Sequence, residues 1–302
     1  MKLKKFLEKI IKTLLIFLPY GVVKFLYSRK AYIKKMFQNP VLLFRTLRIL
    51  KKNKVYNNVH KGQRCFILCT GPSIKEQNLK VLKNEIVFSV SDGYLCRDYA
   101  DISPKYHCSV QFTYMDEFDE QVALERLKTM EQKVTSKELF FNISERCLIE
   151  KHHLFQNKNV NYVCLEKIFE QDRKKIYSIE NIIPSVKSVP IMVLMIAMYM
   201  GFKEIFLIGT EHDAGLVKEK YEHAFKESSN RFYSKHISKN NVLLAKKVDI
   251  VKSRAELFHQ YACLNKIASY NEVKIYNATN GGILDEFERV EFDRIFLQHV
   301  SN

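Results

Sequence analysis

Acidic residues are almost missing from the first fifth of this 302-residue chain. Residues 1–64 hold 17 Lys and Arg but a single acid, Glu8, for a net charge of +16; the remaining residues carry 32 of each sign and balance. An enzyme acting on nucleic acid carries basic charge around its cleft as well. A neutral body with a basic arm therefore argues against a nucleic-acid partner. Long apolar runs are lacking too. The longest uncharged stretch of the arm is residues 13–23, 11 residues, whereas a bilayer span needs about 20. Pro19 and Gly21 also break a helix there. No small-x-small cleavage site follows and basic residues resume at once, so a signal peptide is not expected. The seven cysteines, Cys65, Cys69, Cys96, Cys108, Cys147, Cys164 and Cys263, include no C-x-x-C pair. Neither a zinc site nor a disulfide framework is expected from that spacing, and a reducing cytosol suits the chain. Internal repeats and low-complexity tracts are absent.

What the arm does contain is a pattern. Leu3, Phe6, Leu7, Ile10, Ile11, Leu14, Leu15, Phe17 and Leu18 recur at roughly helical spacing, with lysines on the other side. Apolar and cationic faces on one helix suit the interface of an anionic membrane. Residues 1–60 are thus expected to form a basic amphipathic anchor, lying on the membrane rather than crossing it; a basic helix packed on the domain or bound to a partner is the alternative. The body is then residues 61–302.

Short apolar runs mark the body at 65–69, 86–90, 107–112, 139–143, 160–165, 205–208 and 273–276. Helical patterns lie between them, as at 116–132 and 251–270. Alternation of nearly continuous apolar strands with helices predicts an α/β fold, a Rossmann-like, doubly wound and mostly parallel sheet. His107 and Cys108 fall inside one such run and read as core. Residues 214–247 are polar and weakly periodic, which predicts a lid.

Ligands of such sheets bind beyond the carboxyl ends of the strands. Four polar loops follow strands here: Gly71-Pro72-Ser73, Ser91-Asp92-Gly93, Gly209-Thr210-Glu211-His212-Asp213, and Asn277 with Thr279, Asn280, Gly281 and Gly282. The first lacks the second glycine and Lys-Ser/Thr pair of a Walker A loop, and is not G-x-G-x-x-G. Gly71 allows close approach of backbone, Pro72 stiffens the turn, and Ser73 is placed to donate to a phosphate oxygen or to cap a helix. A second anion-friendly site is expected where Ser185 and Ser188 precede an apolar helix with Pro190 in its first turn.

The stretches "ILCTGPSIKEQNLKVLKNEIVFSVSDGYL", "ISPKYHCSV", "SVPIMVLMIAMYMGFKEIFLIGTEHD" and "VKIYNATNGGILDEFERVEFD" resemble one superfamily. It joins bacterial sialyltransferases of cell-surface glycans, the motility accessory factors that modify flagellin, and the MptE-like domain of 6-hydroxymethylpterin diphosphokinase. The resemblance implies a Rossmann-like domain with a lid, catalysis without a metal, and a cytidine nucleotide held by the loop at Cys69, Thr70, Gly71, Pro72 and Ser73, with Ser188 nearby. Ser91-Asp92-Gly93 stands where the sialyltransferase pattern has Asn. It is closer to the pyrophosphokinase side, where an acid helps hold Mg²⁺-nucleotide, and "NATNGG" is also closer to that branch and the accessory factors.

The reading that joins arm and body is a glycosyltransferase of surface polysaccharide or lipopolysaccharide synthesis. It would sit peripherally on the cytoplasmic face of an inner membrane. It would move a sugar, sialic-acid-like among the options, from a nucleotide donor to a glycan or lipid-linked glycan. The departing phosphate would be met by amides around Gly71, Ser73 and Ser188, with a lid tyrosine, Tyr221 or Tyr233. The loop residues Ser91, Asp92, Gly93, Gly209, Thr210, Asn277 and Asn280 would complete the nucleotide site. The base would be His212, Asp213, His223 or His236. Two alternatives stand beside it: a Mg²⁺-dependent diphosphokinase using Asp92, and a non-catalytic membrane-associated assembly protein.

Overall fold

A computed structural model describes residues 40–110, 120–212 and 247–297. In chain order the first elements are α1 Pro40–Leu50, β1 Arg64–Leu68, β2 Val87–Val90, α2 Tyr99–Ile102, β3 Tyr106–Ser109, α3 Glu120–Lys133 and β4 Glu138–Asn142. Then come α4 Arg146–Lys151, β5 Asn159–Lys167, β6 Ile182–Pro184, α5 Val189–Tyr199 and β7 Glu204–Ile208. The chain closes with α6 Lys247–Tyr270, β8 Lys274–Asn277, β9 Glu288–Arg289 and α7 Arg294–Leu297. Short 3₁₀ turns at Pro72–Lys75 and Leu79–Asn84 replace an α-helix between β1 and β2.

The strands form one sheet in the order β6-β5-β4-β3-β2-β1-β7-β8-β9, and every ladder is parallel. Each of the seven predicted strands is present. The sequence pattern missed β6 and β9, which are three and two residues long and too short to show a period.

Alternation along each strand sends neighbours to opposite faces. Cys65, Ile67 and Cys69 face α5 and α6, while Phe66 and Leu68 face α3 and the 3₁₀ turns. Both faces are therefore covered, which is why the strands read as unbroken apolar runs. Every residue of α5 is buried. That helix fills the space between sheet and α6, so it shows no polar face. Among the described residues no helix is long and apolar enough to cross a membrane.

Residues 40–60 were expected to belong to the arm, but they pack on the sheet. Leu43 and Leu50 of α1 bury against Cys164 and Ile182. The Asn53 amide donates to the carbonyls of Tyr162 and Ile179 at 2.8 and 2.9 Å. The stretch before β1 then zips to the end of α5, with His60 N donating to Met200 O at 2.9 Å and Gly62 N to Gly201 O at 3.0 Å. The expected boundary at residue 60 thus falls inside packed structure. Residues 1–39 lie outside the described residues, as does the expected lid up to residue 246; residue 247 opens α6.

Candidate functional site

Strand order reverses between β1 and β7: β2 to β6 run outward on one side, β8 and β9 on the other. This is the switch point of a doubly wound sheet, where loops leave in opposite directions and open a crevice. The loops after β1, β7 and β8 all meet there.

The meeting is close. Gly71 N donates to Gly209 O at 3.0 Å, and Ser73 N donates to Glu211 Oε1 at 2.6 Å. A Cβ on Gly71 would lie 1.6 Å from Glu211 Oε2 and 2.6 Å from Gly209 O. Gly71 has an ordinary extended backbone, φ −68° and ψ 154°. Glycine is therefore required here by contact and not by backbone conformation. Gly209 differs, since its φ of +70° is left-handed, a region open to glycine at no steric cost.

The β8 loop locks onto the same point. Ile283 N donates to Glu211 O at 2.8 Å, and Gln77 Nε2 to Ala278 O at 2.9 Å. Thr210 N donates to Thr279 Oγ1 at 3.0 Å, and the two hydroxyls lie 2.9 Å apart. Asn280 Nδ2 reaches Glu76 Oε2 at 3.3 Å. Asn277 folds its own turn, donating to Leu284 O and accepting from Thr279 N.

Glu211 is the residue that sequence reasoning passed over. It was visible in the loop but carried no distinguishing mark, because its partner lies 138 positions away. Its carboxylate fills the cradle expected to receive a phosphate, and the Ser73 amide is already engaged by it. Glu211 is 6 % exposed, and its Oε2 has no hydrogen-bond partner; neither has the buried Ser73 Oγ. Buried polar atoms without partners are rare in folded proteins, and each calls for an explanation.

The second expected anion site is also rearranged. Ser188 does sit at the N-cap of α5 with Pro190 in the first turn, but its hydroxyl caps nothing. It bonds to Tyr261 instead. Ser185 Oγ donates to Leu165 O at 2.8 Å. Gln260 clamps this turn from α6, accepting from Lys187 N and donating to Ser185 O.

Tyr261 is fully buried and also meets His212, whose Nε2 lies 2.8 Å from the phenol oxygen. Burial, aided by the positive charge of Arg254, pushes the His212 imidazole down to about 4. Burial drives the Tyr261 phenol the other way, well above its ordinary value. At neutral pH both are uncharged, and they join β7, α5 and α6 as one hydrogen-bonded strut. His212 therefore turns inward, with its backbone at φ +53°. A weakly basic ring already engaged by Tyr261 is a poor proton acceptor for a ligand.

The β2 loop lies beside this cluster and looks elsewhere. A Cβ on Gly93 would lie 3.7 Å from Leu68 O at the end of β1, an ordinary contact. Asp92 Oδ1 accepts from Tyr94 at 3.2 Å and pairs with Arg126 of α3 at 3.4 Å. Ser91 N donates to Cys108 O. His107, read as core, is fully buried with Nδ1 2.8 Å from Ser89 Oγ. Asp213, Tyr221, His223, Tyr233 and His236 lie outside the described residues.

No protein-family model matches this chain, and no curated protein matches it. Among solved structures, it is similar to the sialyltransferase CstII from Campylobacter jejuni, solved in complex with a substrate analogue, cytidine-5'-monophosphate. The likeness covers 76% of this chain and 85% of that chain, at 15% identity and a TM-score of 0.37.

Proposed function

We propose that the chain is a nucleotide-sugar-dependent glycosyltransferase of surface-glycan synthesis, with its donor seated at the β1/β7 switch point. One observation carries this reading. The 71–73 turn and the Glu211 carboxylate close on each other where a doubly wound sheet opens its crevice, and they leave Ser73 Oγ and Glu211 Oε2 unpaired. A buried hydroxyl and a buried carboxylate oxygen that lack partners in one loop cluster suit a ligand bearing both hydroxyls and phosphate oxygens.

In the transfer, an acceptor hydroxyl oxygen bonds to the anomeric carbon and loses its proton to a base. The bond from that carbon to the donor phosphate breaks, and the nucleotide leaves with the electron pair. Because His212 faces Tyr261, we assign the base to Asp213, His223 or His236, and help with the leaving phosphate to Tyr221 or Tyr233. A phosphate seated on Ser73 N requires the Glu211 carboxylate to swing off it. Two like charges 4 Å apart at an effective dielectric constant near 20 repel by about 4 kcal/mol. The Mg²⁺-dependent diphosphokinase reading draws on Asp92, whose carboxylate Arg126 and Tyr94 engage, and on the "NATNGG" stretch, which resembles the accessory factors equally.

A thermal-shift series with CMP, UDP and ATP, each with and without Mg²⁺, tests the proposal. At 100 times its dissociation constant a ligand adds about 2.7 kcal/mol to stability. CMP or UDP is expected to raise Tm by several degrees without metal. A rise with ATP that needs Mg²⁺ supports the diphosphokinase, and no rise with any nucleotide supports the assembly protein.

A further inference from the structure

We propose that the outward face of α1 and of the turn after it is a docking surface for an anionic phospholipid bilayer. Helical geometry divides α1 in two. Leu43, Thr46 and Leu50 point into the fold and are buried, while Val41, Phe44, Arg45 and Arg48 share the opposite side. On that side Val41 is 60% exposed and Phe44 69%. The turn Lys51–Tyr56 extends the same character, with Lys52 exposed and Val55 73% exposed. A helix that faces only water carries mixed charges there. This one carries cations and large apolar side chains together, and no acid occurs anywhere between Glu8 and Glu76.

The charge decides among possible occupants. Residues 1–39 hold 10 Lys and Arg against one acid, so folding that segment back would set cations against cations. A second copy of the same face meets the same repulsion. An acidic protein would complement the charges and leave Phe44, Val41 and Val55 without an apolar partner. An anionic bilayer supplies both, phosphates for the guanidinium and ammonium groups and acyl chains for the apolar ones. The surface lies on the packed body, so it fixes the orientation of the sheet at the membrane as well as attachment. It does not depend on which reaction the switch point performs.

The chain has no tryptophan, so Phe44→Trp in the full-length protein is a unique reporter. The probes are vesicles of phosphatidylcholine alone and of phosphatidylcholine with phosphatidylglycerol. Only the anionic vesicles are expected to sediment the protein, shift the Phe44→Trp emission to the blue and shield it from acrylamide. Arg45→Glu with Arg48→Glu and Lys52→Glu should weaken vesicle binding at least tenfold with an unchanged circular dichroism spectrum. Sedimentation with no change in Phe44→Trp emission would assign binding to residues 1–39 alone and overturn the proposal. Failure to bind either vesicle, equal binding by the charge-reversed protein, or a dimer that Phe44→Ser dissociates would overturn it too.

Discussion

Gly71→Val is expected to destabilise the whole fold, and not merely to empty a nucleotide site. The reason lies in what surrounds Gly71. Its added Cβ would meet Glu211 Oε2 at 1.6 Å and Gly209 O at 2.6 Å. The first neighbour is the end of a side chain and can swing away. The second is backbone that ties β1 to β7 through Gly71 N, so it can yield only by opening the central ladder. Overpacking costs about 1–3 kcal/mol, and losing a hydrogen bond to a charged group about 1.5–3 kcal/mol. A loss of about 3 kcal/mol or more is expected in urea denaturation; wild-type stability in Gly71→Val would mean that the two loops do not touch. Ser73→Ala suits the binding question better, because the Oγ it removes has no partner. Its stability should stay within about 1 kcal/mol of wild type.

Acid is expected to weaken the protein through His107. The side chain has 0% exposure, and its Nε2 finds no partner. Burial first, then the charges of Arg126 and Lys158, push its imidazole down to about 3. Above pH 6.5 the ring is neutral in both folded and unfolded chains, and no dependence arises. Below pH 6.5 the unfolded chain takes up a proton that the folded chain refuses. Stability then falls by up to about 1.4 kcal/mol per pH unit until the folded value is reached. His212 shifts in the same direction and adds to the effect. Urea denaturation at pH 7 and pH 4.5 should show wild type losing about 2.5 kcal/mol more than His107→Gln. Equal losses in the two proteins would show that His107 is solvated.

The parts of the fold legible in the sequence were those with strong local signals. Strands buried on both faces gave apolar runs, and α5 gave an apolar helix with Pro190 in its first turn. The gathering of the candidate loops followed, because strand ends in a parallel sheet share one edge. What was not legible depended on contacts between distant residues. Glu211 meets Ser73 only once β1 and β7 are neighbours. His212 turns inward because Tyr261, 49 positions on, offers it a partner. Ser188 took the N-cap position as expected, while its hydroxyl went to the same tyrosine. The domain boundary was misplaced at residue 60 because α1 is basic like the segment before it. Its packing rests on Leu43, Leu50 and Asn53, too few residues to mark a core helix by pattern.

The central claim is that a nucleotide binds where β1 and β7 part company. Hydrogen–deuterium exchange on the full chain, with and without the nucleotide that raises Tm most, tests it directly. Peptides covering residues 69–76 and 209–212 should gain protection, because their amides line the 71–73 turn and the Glu211 loop, while those of the distant β6 edge at 182–184 should not change. Unaltered exchange at both loops under saturating nucleotide, or protection confined to another part of the sheet, would contradict the account.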